Sequence, residues 1–315
     1  MAKIRAAVVG VGYLGTFHSQ KYKTLSEKPD LQVELVAVCD SSQAQAEKVG
    51  EDLGVAAFYR AQDLVGKVDA VTIATITPAH YETAKFFLQN NIHVNVEKPI
   101  CLKVEEAREL VELARQKKLI LCVGHSERFN PVFRELKSSL QKPLFLEFNR
   151  YAPFRLRGSD VSVLHDLMIH DLDLMLDIHQ ATPKLVRAKA GKVVTKSYDW
   201  CSALFEFESG LQCHINCSRV SREMIRSVRA IDDRHVWIAN LQTGDLEKTK
   251  MVDHAENPVS HEIRNMGRGD NLLAETEAFL RAIQGYPAGA VTGMDGLKAL
   301  ELVEQISAMI DAQKG

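Results

Sequence analysis

The sequence holds no apolar run near the roughly 18 to 20 residues that a membrane-spanning helix needs. It has no internal repeat and no low-complexity tract, so solenoid and disordered architectures are not indicated. Six cysteines are scattered, at 39, 101, 122, 201, 213 and 217, without a single Cys-x-x-Cys. That spacing suits neither a zinc ribbon nor a redox pair, and a chain this long needs no disulfide staples. Net charge is almost absent too, at −2 from 39 basic and 41 acidic side chains. Such a balance gives no general pull toward nucleic acid or a membrane surface. Met1 to Arg5 lead directly into an apolar strand, without the pattern of a signal peptide. The expectation is a cytoplasmic protein with reduced thiols.

What is present is an ordinary globular composition, 46% hydrophobic and 25% charged over 315 residues. At about 150 residues per domain, that length reads as two domains. Up to residue 125, short β-branched runs alternate with helical patterns. The runs are Ile4–Val9, Val33–Cys39, Asp69–Thr75, Ile92–Val96 and Ile120–Val123. Helices are predicted near Tyr13–Leu25, Ala44–Leu53, Pro78–Gln89 and Val104–Lys117. Strand–helix repetition of this kind predicts a parallel sheet covered on both faces.

The pattern then changes. Leu144–Tyr151, Leu185–Val194, Ser202–Glu208, Leu211–Ser218, Ser227–Asp232 and His235–Asn240 read as longer strands. In Leu211–Cys217 apolar and polar residues alternate, as on an antiparallel sheet with one covered face. Helices are predicted near Ser162–Ile178, Asn271–Ile283 and Gly293–Ala312, and the polar stretch Glu247–Asp270 as a mobile loop. The fold class is therefore α/β. An N-terminal Rossmann dinucleotide-binding domain spans 1–125. A C-terminal α/β domain with an open, mainly antiparallel sheet spans 126–315, with the last helices able to pack back on the first domain.

Gly10-Val11-Gly12-Tyr13-Leu14-Gly15 is a G-x-G-x-x-G sequence between a predicted strand and a predicted helix, the context its chemistry requires. Gly10 permits the tight turn, Gly12 lets the backbone approach a pyrophosphate, and Gly15 allows close helix–strand packing. Asp40 ends the second apolar run, where a carboxylate can accept from both adenosine ribose hydroxyls or cap the next helix. Ser41 and Ser42 follow it instead of an arginine, which favours NAD over NADP.

At Val96-Glu97-Lys98-Pro99 the chain begins to resemble the glucose-fructose oxidoreductase / inositol dehydrogenase / MocA (Gfo/Idh/MocA) family. The resemblance runs in order through the glycine turn, Thr75-x-x-Pro78-x-His80, Glu97-Lys98-Pro99 and Asp166-x-x-x-His170. Two segments, Val123–Pro131 and His165–Asp173, are similar to those of nucleotide-sugar members, the UDP-N-acetylglucosamine 3-dehydrogenases among them. The resemblance implies catalytic roles for Lys98, His170 and Asp166, and a cis peptide before Pro99. It implies cofactor contacts from Gly10, Gly12, Tyr13, Leu14, Gly15, Asp40, Ser41, Thr75, Thr77, Pro78, His80, Glu97 and Lys98.

The chemistry of these residues agrees with those roles. A lysine at the carboxyl end of a parallel strand can hydrogen-bond a hydroxyl and stabilise a developing alkoxide, or, if neutral, take its proton. Asp166 and His170 stand four apart on a predicted helix, hence on one face. His170 can accept a proton near neutral pH. Glu97 reads as an orienting partner or cofactor contact. For substrate, Arg128, Asn130, Tyr151, Arg155 and Arg157 offer forks for phosphates and a ring to stack on uracil, alongside Asp166 and His170. His165, His170, Asp171 and Asp173 lack metal-ligand spacing, so no metal is expected. Asp171, Asp173 and Asp177 are expected on a solvated or interdomain helix face, and Cys213-His214-x-x-Cys217 in ordinary sheet.

These readings converge on NAD-dependent oxidation of a secondary sugar hydroxyl, with C3 of UDP-N-acetylglucosamine as the leading substrate and an active site between the domains. One alternative is a dehydrogenase of inositol or a free sugar. A non-catalytic NAD-binding regulator is the alternative of another class. The expected partners are a small-molecule substrate and further copies of the chain, as a homodimer or homotetramer, with neither nucleic acid nor membrane.

Overall fold

The computed structural model describes residues 3–156, 161–252, 258–286 and 289–313. The chain divides into two compact units, one of residues 1–126 and 270–300, the other of 127–269 and 301–315.

The first unit is a doubly wound sheet. Its strands are β1 (Ile4–Val9), β2 (Val33–Cys39), β3 (Ala56–Phe58), β4 (Ala70–Ile73), β5 (His93–Glu97) and β6 (Leu121–Gly124). They lie in the order β3-β2-β1-β4-β5-β6, all parallel. The helices are α1 (Tyr13–Ser26), α2 (Gln43–Leu53), α3 (His80–Gln89), α4 (Val104–Lys117), and, after the second unit's strands, α7 (Asn271–Ile283) and the start of α8 (Gly293–Ala312). Strand residues alternate between two apolar layers. Val9, Val71, Ile73, Val94, Val96 and Val123 pack with Phe87, Leu88 and Leu110 of α3 and α4. Ala6, Val8, Val33, Leu35 and Ala70 pack with Tyr22 and Leu25 of α1 and Phe279 and Leu280 of α7. Each large side chain so buried contributes about 1.5–3 kcal/mol. β6 would be a bare edge, but the returning chain covers it: Val123 N–H donates to Val291 O at 3.0 Å.

The second unit is an eight-stranded sheet with α5 (Pro131–Ser139) and α6 (Ile169–Ile178). Its strands are β7 (Phe145–Tyr151), β8 (Lys184–Gly191), β9 (Trp200–Glu206), β10 (Gln212–Ser218), β11 (Ile225–Ile231), β12 (His235–Asn240), β13 (Asp245–Met251) and β14 (Val259–Asn265). The order is β14-β13-β12-β11-β7-β10-β9-β8, antiparallel except for the parallel pair β7–β10. Strict alternation buries one face, with Leu146, Phe148, Cys213, Ile215, Cys217, Val228 and Ala230. Cys213-His214-x-x-Cys217 is ordinary sheet: both cysteines are buried, and His214 faces the other way onto Ser202.

Four elements are absent from the sequence reading. β3 is three residues long, too short to leave a pattern. α5 opens on Asn130 as cap and Pro131 in its first turn, a start signal that the sequence carries. The polar stretch from Glu247 is not a loop. Residues 247–251 and 259–265 pair as the β13–β14 hairpin at the sheet edge. Mostly exposed edge strands need no apolar alternation, so composition hid them. Residues 253–257 lie outside the described residues.

Candidate active site

Three glycines after β1 each have a separate steric reason. Gly10 has φ +84°, and a Cβ there would stand 2.6 Å from Thr75 N. A Cβ on Gly15 would stand 1.8 Å from Gly10 O, so helix and turn could not approach. Gly12 meets nothing within 4 Å, leaving its face open. α1 starts on Gly12 with no side-chain cap, so its first N–H groups face that open space. Tyr13 is exposed and Leu14 half-buried beside it, and Tyr13 stacks edge-on against Phe17. Asp40 braces the turn. Its Oδ2 accepts the Val11 N–H at 2.8 Å and its Oδ1 the Ser42 N–H at 2.9 Å. Ser42, not Asp40, caps α2; Ser41 is exposed next to it.

After β4 come half-buried Thr75 and Thr77 and exposed Pro78, the latter two in a single 3-10 turn that runs into α3. His80, expected on the cofactor, has backbone carbonyls at both ring nitrogens. It is buried, with Nδ1 2.8 Å from Pro99 O and Nε2 3.1 Å from Thr75 O. Burial pushes its imidazole below the usual histidine range, against the pull of the two carbonyls. His80 thus lies between the Thr75 loop and the Lys98–Pro99 turn, whose peptide is cis, and as a neutral imidazole donates to one of the two carbonyls.

Lys98 is half-buried at the end of β5. Glu97 precedes it and holds two partners. Its Oε1 accepts from His18 Nε2 at 2.8 Å and its Oε2 accepts the Lys98 backbone N–H at 3.2 Å. Burial pushes the Glu97 carboxyl up, but His18, with Lys98 and His80 behind it, reverses this and holds it below the usual carboxylate range. Glu275 of α7 completes the group, accepting from Asn95 Nδ2 at 3.2 Å. His18 and Glu275 were missed in the sequence. The available signal was position: His18, Tyr22 and Leu25 recur on the inward stripe of α1.

In the second unit, Asp166 and His170 do not share one regular helix. Leu164–Met168 form a π-helical turn that leads into α6, with Asp166 in the turn and His170 in α6. Such turns recur at functional sites. Both side chains are half-buried.

Asp171 and Asp173, which follow His170, are buried rather than solvated, and Asp177 is half-buried. Arg150 of β7 donates to Asp171 through Nε at 2.9 Å and Nη2 at 2.8 Å, and to Glu127 through Nη1 at 3.1 Å. All three are buried. Burial pushes the Glu127 carboxyl up, while Arg150 and Arg226 more than offset it and hold it low. Arg128, expected on a phosphate, has its fork on Asp173 at 2.7 and 2.6 Å, with Asp177 3.6 Å away. Asn130, also expected on substrate, is the α5 cap, and its amide donates to Leu241 O at 2.9 Å. Arg128 and Asn130 are thus both held by partners within the second unit. Tyr151 lies on the sheet face opposite Arg150 and donates to Asn149 Oδ1 at 3.0 Å. Arg155 is exposed; Arg157 lies outside the described residues.

Residues 4–125 match the Gfo/Idh/MocA oxidoreductase family with its NAD-binding Rossmann fold, and residues 144–231 match the Gfo/Idh/MocA C-terminal domain. UDP-N-acetylglucosamine 3-dehydrogenase of Acidithiobacillus ferrooxidans is 34% identical over 99% of both chains. A solved structure of that enzyme superposes with TM-score 0.89 at 33% identity, again over 99% of each chain. Inositol 2-dehydrogenase of Rhizobium meliloti is 25% identical over 96% of this chain and 95% of its own. In fold alone, scyllo-inositol dehydrogenase of Lactobacillus casei, solved with NAD(H) and scyllo-inositol, matches with TM-score 0.81 at 20% identity, over 99% of this chain and 98% of its own.

Proposed function

The chain belongs to the Gfo/Idh/MocA family of oxidoreductases acting on sugar hydroxyls, and on that footing we propose that it oxidises C3 of UDP-N-acetylglucosamine with NAD as hydride acceptor. The observation that carries the reading is the end-to-end match, 34% over 99% of both chains, to an enzyme named for that reaction.

The first unit fits a dinucleotide. The open face of Gly12 and the uncapped start of α1 suit a pyrophosphate. Asp40 would accept from the adenosine ribose, and its fixed carboxylate, followed by Ser41 and Ser42, disfavours a 2′-phosphate. When bound, the nicotinamide supplies the hydride acceptor. The chain's own residues handle the proton. His170 takes it from the sugar hydroxyl, Lys98 holds the oxygen while negative charge grows on it, and Asp166 orients the hydroxyls. Loss of a proton from oxygen and a hydride from the same carbon leaves a ketone.

Arg128 is paired with Asp173 inside the second unit, and this observation favours a second reading, a phosphate-free cyclitol or sugar. Mass spectrometry decides. Enzyme at substrate concentration is incubated with NAD and UDP-N-acetylglucosamine, and in parallel with inositols and free sugars. A nucleotide sugar lighter by two hydrogens, with matching NADH absorbance, is the expected product. Unaltered nucleotide sugar together with an oxidised inositol would overturn the substrate assignment.

A further inference from the structure

A buried polar compartment lies next to Lys98 in the first unit, on the sheet face covered by α1 and α7. There the central strands set Thr72, Asn95 and Cys122 in register, where a parallel sheet is ordinarily apolar. Tyr22 of α1 meets Thr72 at 2.8 Å. Glu275 of α7 receives the Asn95 amide on one oxygen, and its other oxygen is buried without a partner. Glu97 comes next along β5, between His18 of α1 and the backbone of Lys98. His18 is fully buried, Glu275 is 3% exposed and Glu97 is 8% exposed.

One atom from each of His18, Glu97 and Glu275 lies within 4.8 Å of the others. Two carboxyl groups that close, out of water, do not both ionise. The groups facing Glu97 decide which one does: His18 from α1, His80 from α3, Lys98 from the turn after β5 and Glu275 from α7. The first three favour an anion at Glu97. Burial pushes Glu275 well above the usual carboxylate range, and the Glu97 charge pushes it further.

Resting on the assignment of Lys98 to the substrate hydroxyl, we infer that His18 is a positioning residue of the reaction, fixing the Lys98 backbone through Glu97 while Glu275 closes the compartment as a neutral acid. Two hydrogen bonds in series, His18 to Glu97 and Lys98 N–H to Glu97, tie the helix that opens on the glycine turn to the backbone of the lysine. The same three side chains offer ligand atoms within 4.8 Å of one another, so a cation among them is the competing occupant that the experiment must separate from a proton.

The test uses the full chain with H18L, H18Q and K98M. Displacing a catalytic group by about an ångström costs on the order of 100-fold, and H18L is expected to lower kcat by about that much. The KM for NAD should stay within about threefold, the signature of an interaction that matters mainly to the transition state. The acidic limb of kcat should move toward neutral pH, because without His18 burial acts on Glu97 with less opposition. H18Q, whose amide can donate to the same oxygen, should recover at least about tenfold of the loss. A folded H18L with an unmoved acidic limb would overturn the positioning role even where turnover falls. K98M with full turnover would instead overturn the assignment of Lys98 on which the inference rests. Independently of activity, infrared spectra at neutral pH should show a protonated-carboxyl carbonyl band that E275Q abolishes. Absence of that band, or a stoichiometric metal ion lost in E275Q, would refute the neutral acid.

Discussion

The carboxylate of Glu97 occupies the space a side chain on Gly124 would need: its Cδ and Oε1 lie 3.0 Å from where a Cβ would stand. The two residues are register partners on β5 and β6, so β6 must be bare at this point for the Glu97 side chain to lie over it. G124A is expected to shift Glu97 and cost about 1–3 kcal/mol of stability, as overpacking does. Because Glu97 also holds the Lys98 N–H, turnover should fall further than stability predicts. Denaturation and kcat measured on the same preparation check this; intact kcat in a destabilised protein would argue against it.

The glycine turn offers a paired comparison. G15A places a methyl 1.8 Å from Gly10 O and should disrupt the turn, seen as a large loss of thermal stability. G12A adds its methyl to open space and should leave stability nearly unchanged, yet weaken NAD by about tenfold or more. Calorimetric titration with NAD distinguishes the two, and G12A binding NAD normally would rule out the pyrophosphate role of this face.

Arg128 and Arg155 should separate structure from recognition. R128A removes the fork that holds Asp173, which is 1% exposed at its side chain. Removing one partner of a buried ion pair costs about 3–5 kcal/mol, so urea unfolding should report a large loss. R155A removes an exposed side chain and should spare stability, raising KM for a nucleotide sugar but not for inositol. Equal effects on both substrates would remove Arg155 from phosphate recognition.

Glu275 predicts a pH dependence of stability. Burial and the neighbouring Glu97 raise its folded pKa, so the folded state holds a proton that the unfolded chain gives up. Its contribution is intact below the unfolded carboxyl range and is lost progressively as pH rises toward the folded value. E275Q carries no such proton. The melting temperature of E275Q relative to wild type should therefore climb as pH increases from acid through neutral. A difference that is flat with pH would mean that Glu275 is already ionised in the fold.

Legibility from sequence followed the range of the interactions. Strands buried on both faces, such as Ile4–Val9 and Val33–Cys39, announce themselves as β-branched runs, and their bounds agree with the structure. The glycine turn was readable because its chemistry is contained in six consecutive residues. β13 and β14 were not, because an exposed edge needs no apolar alternation. Arg128 showed a fork but not its occupant: Asp173 lies 45 residues away, and charge alone does not say whether a partner is carboxylate or phosphate. His18 and Glu97 are 79 residues apart, and Asn95 and Glu275 are 180 apart. Only folding brings such pairs together, and no local pattern encodes them.

The return of residues 270–300 to the first unit has a consequence for synthesis. A ribosome that has finished the first 126 residues has delivered all six strands of the parallel sheet, but not the Phe279 and Leu280 that cover one of its faces. Nor has it delivered Val291, which closes the β6 edge. That half-finished sheet must wait, with apolar surface in water, while more than 140 further residues are made. At about 5–20 residues per second the wait lasts on the order of ten seconds or more, long enough for nascent chains to aggregate or to recruit a chaperone.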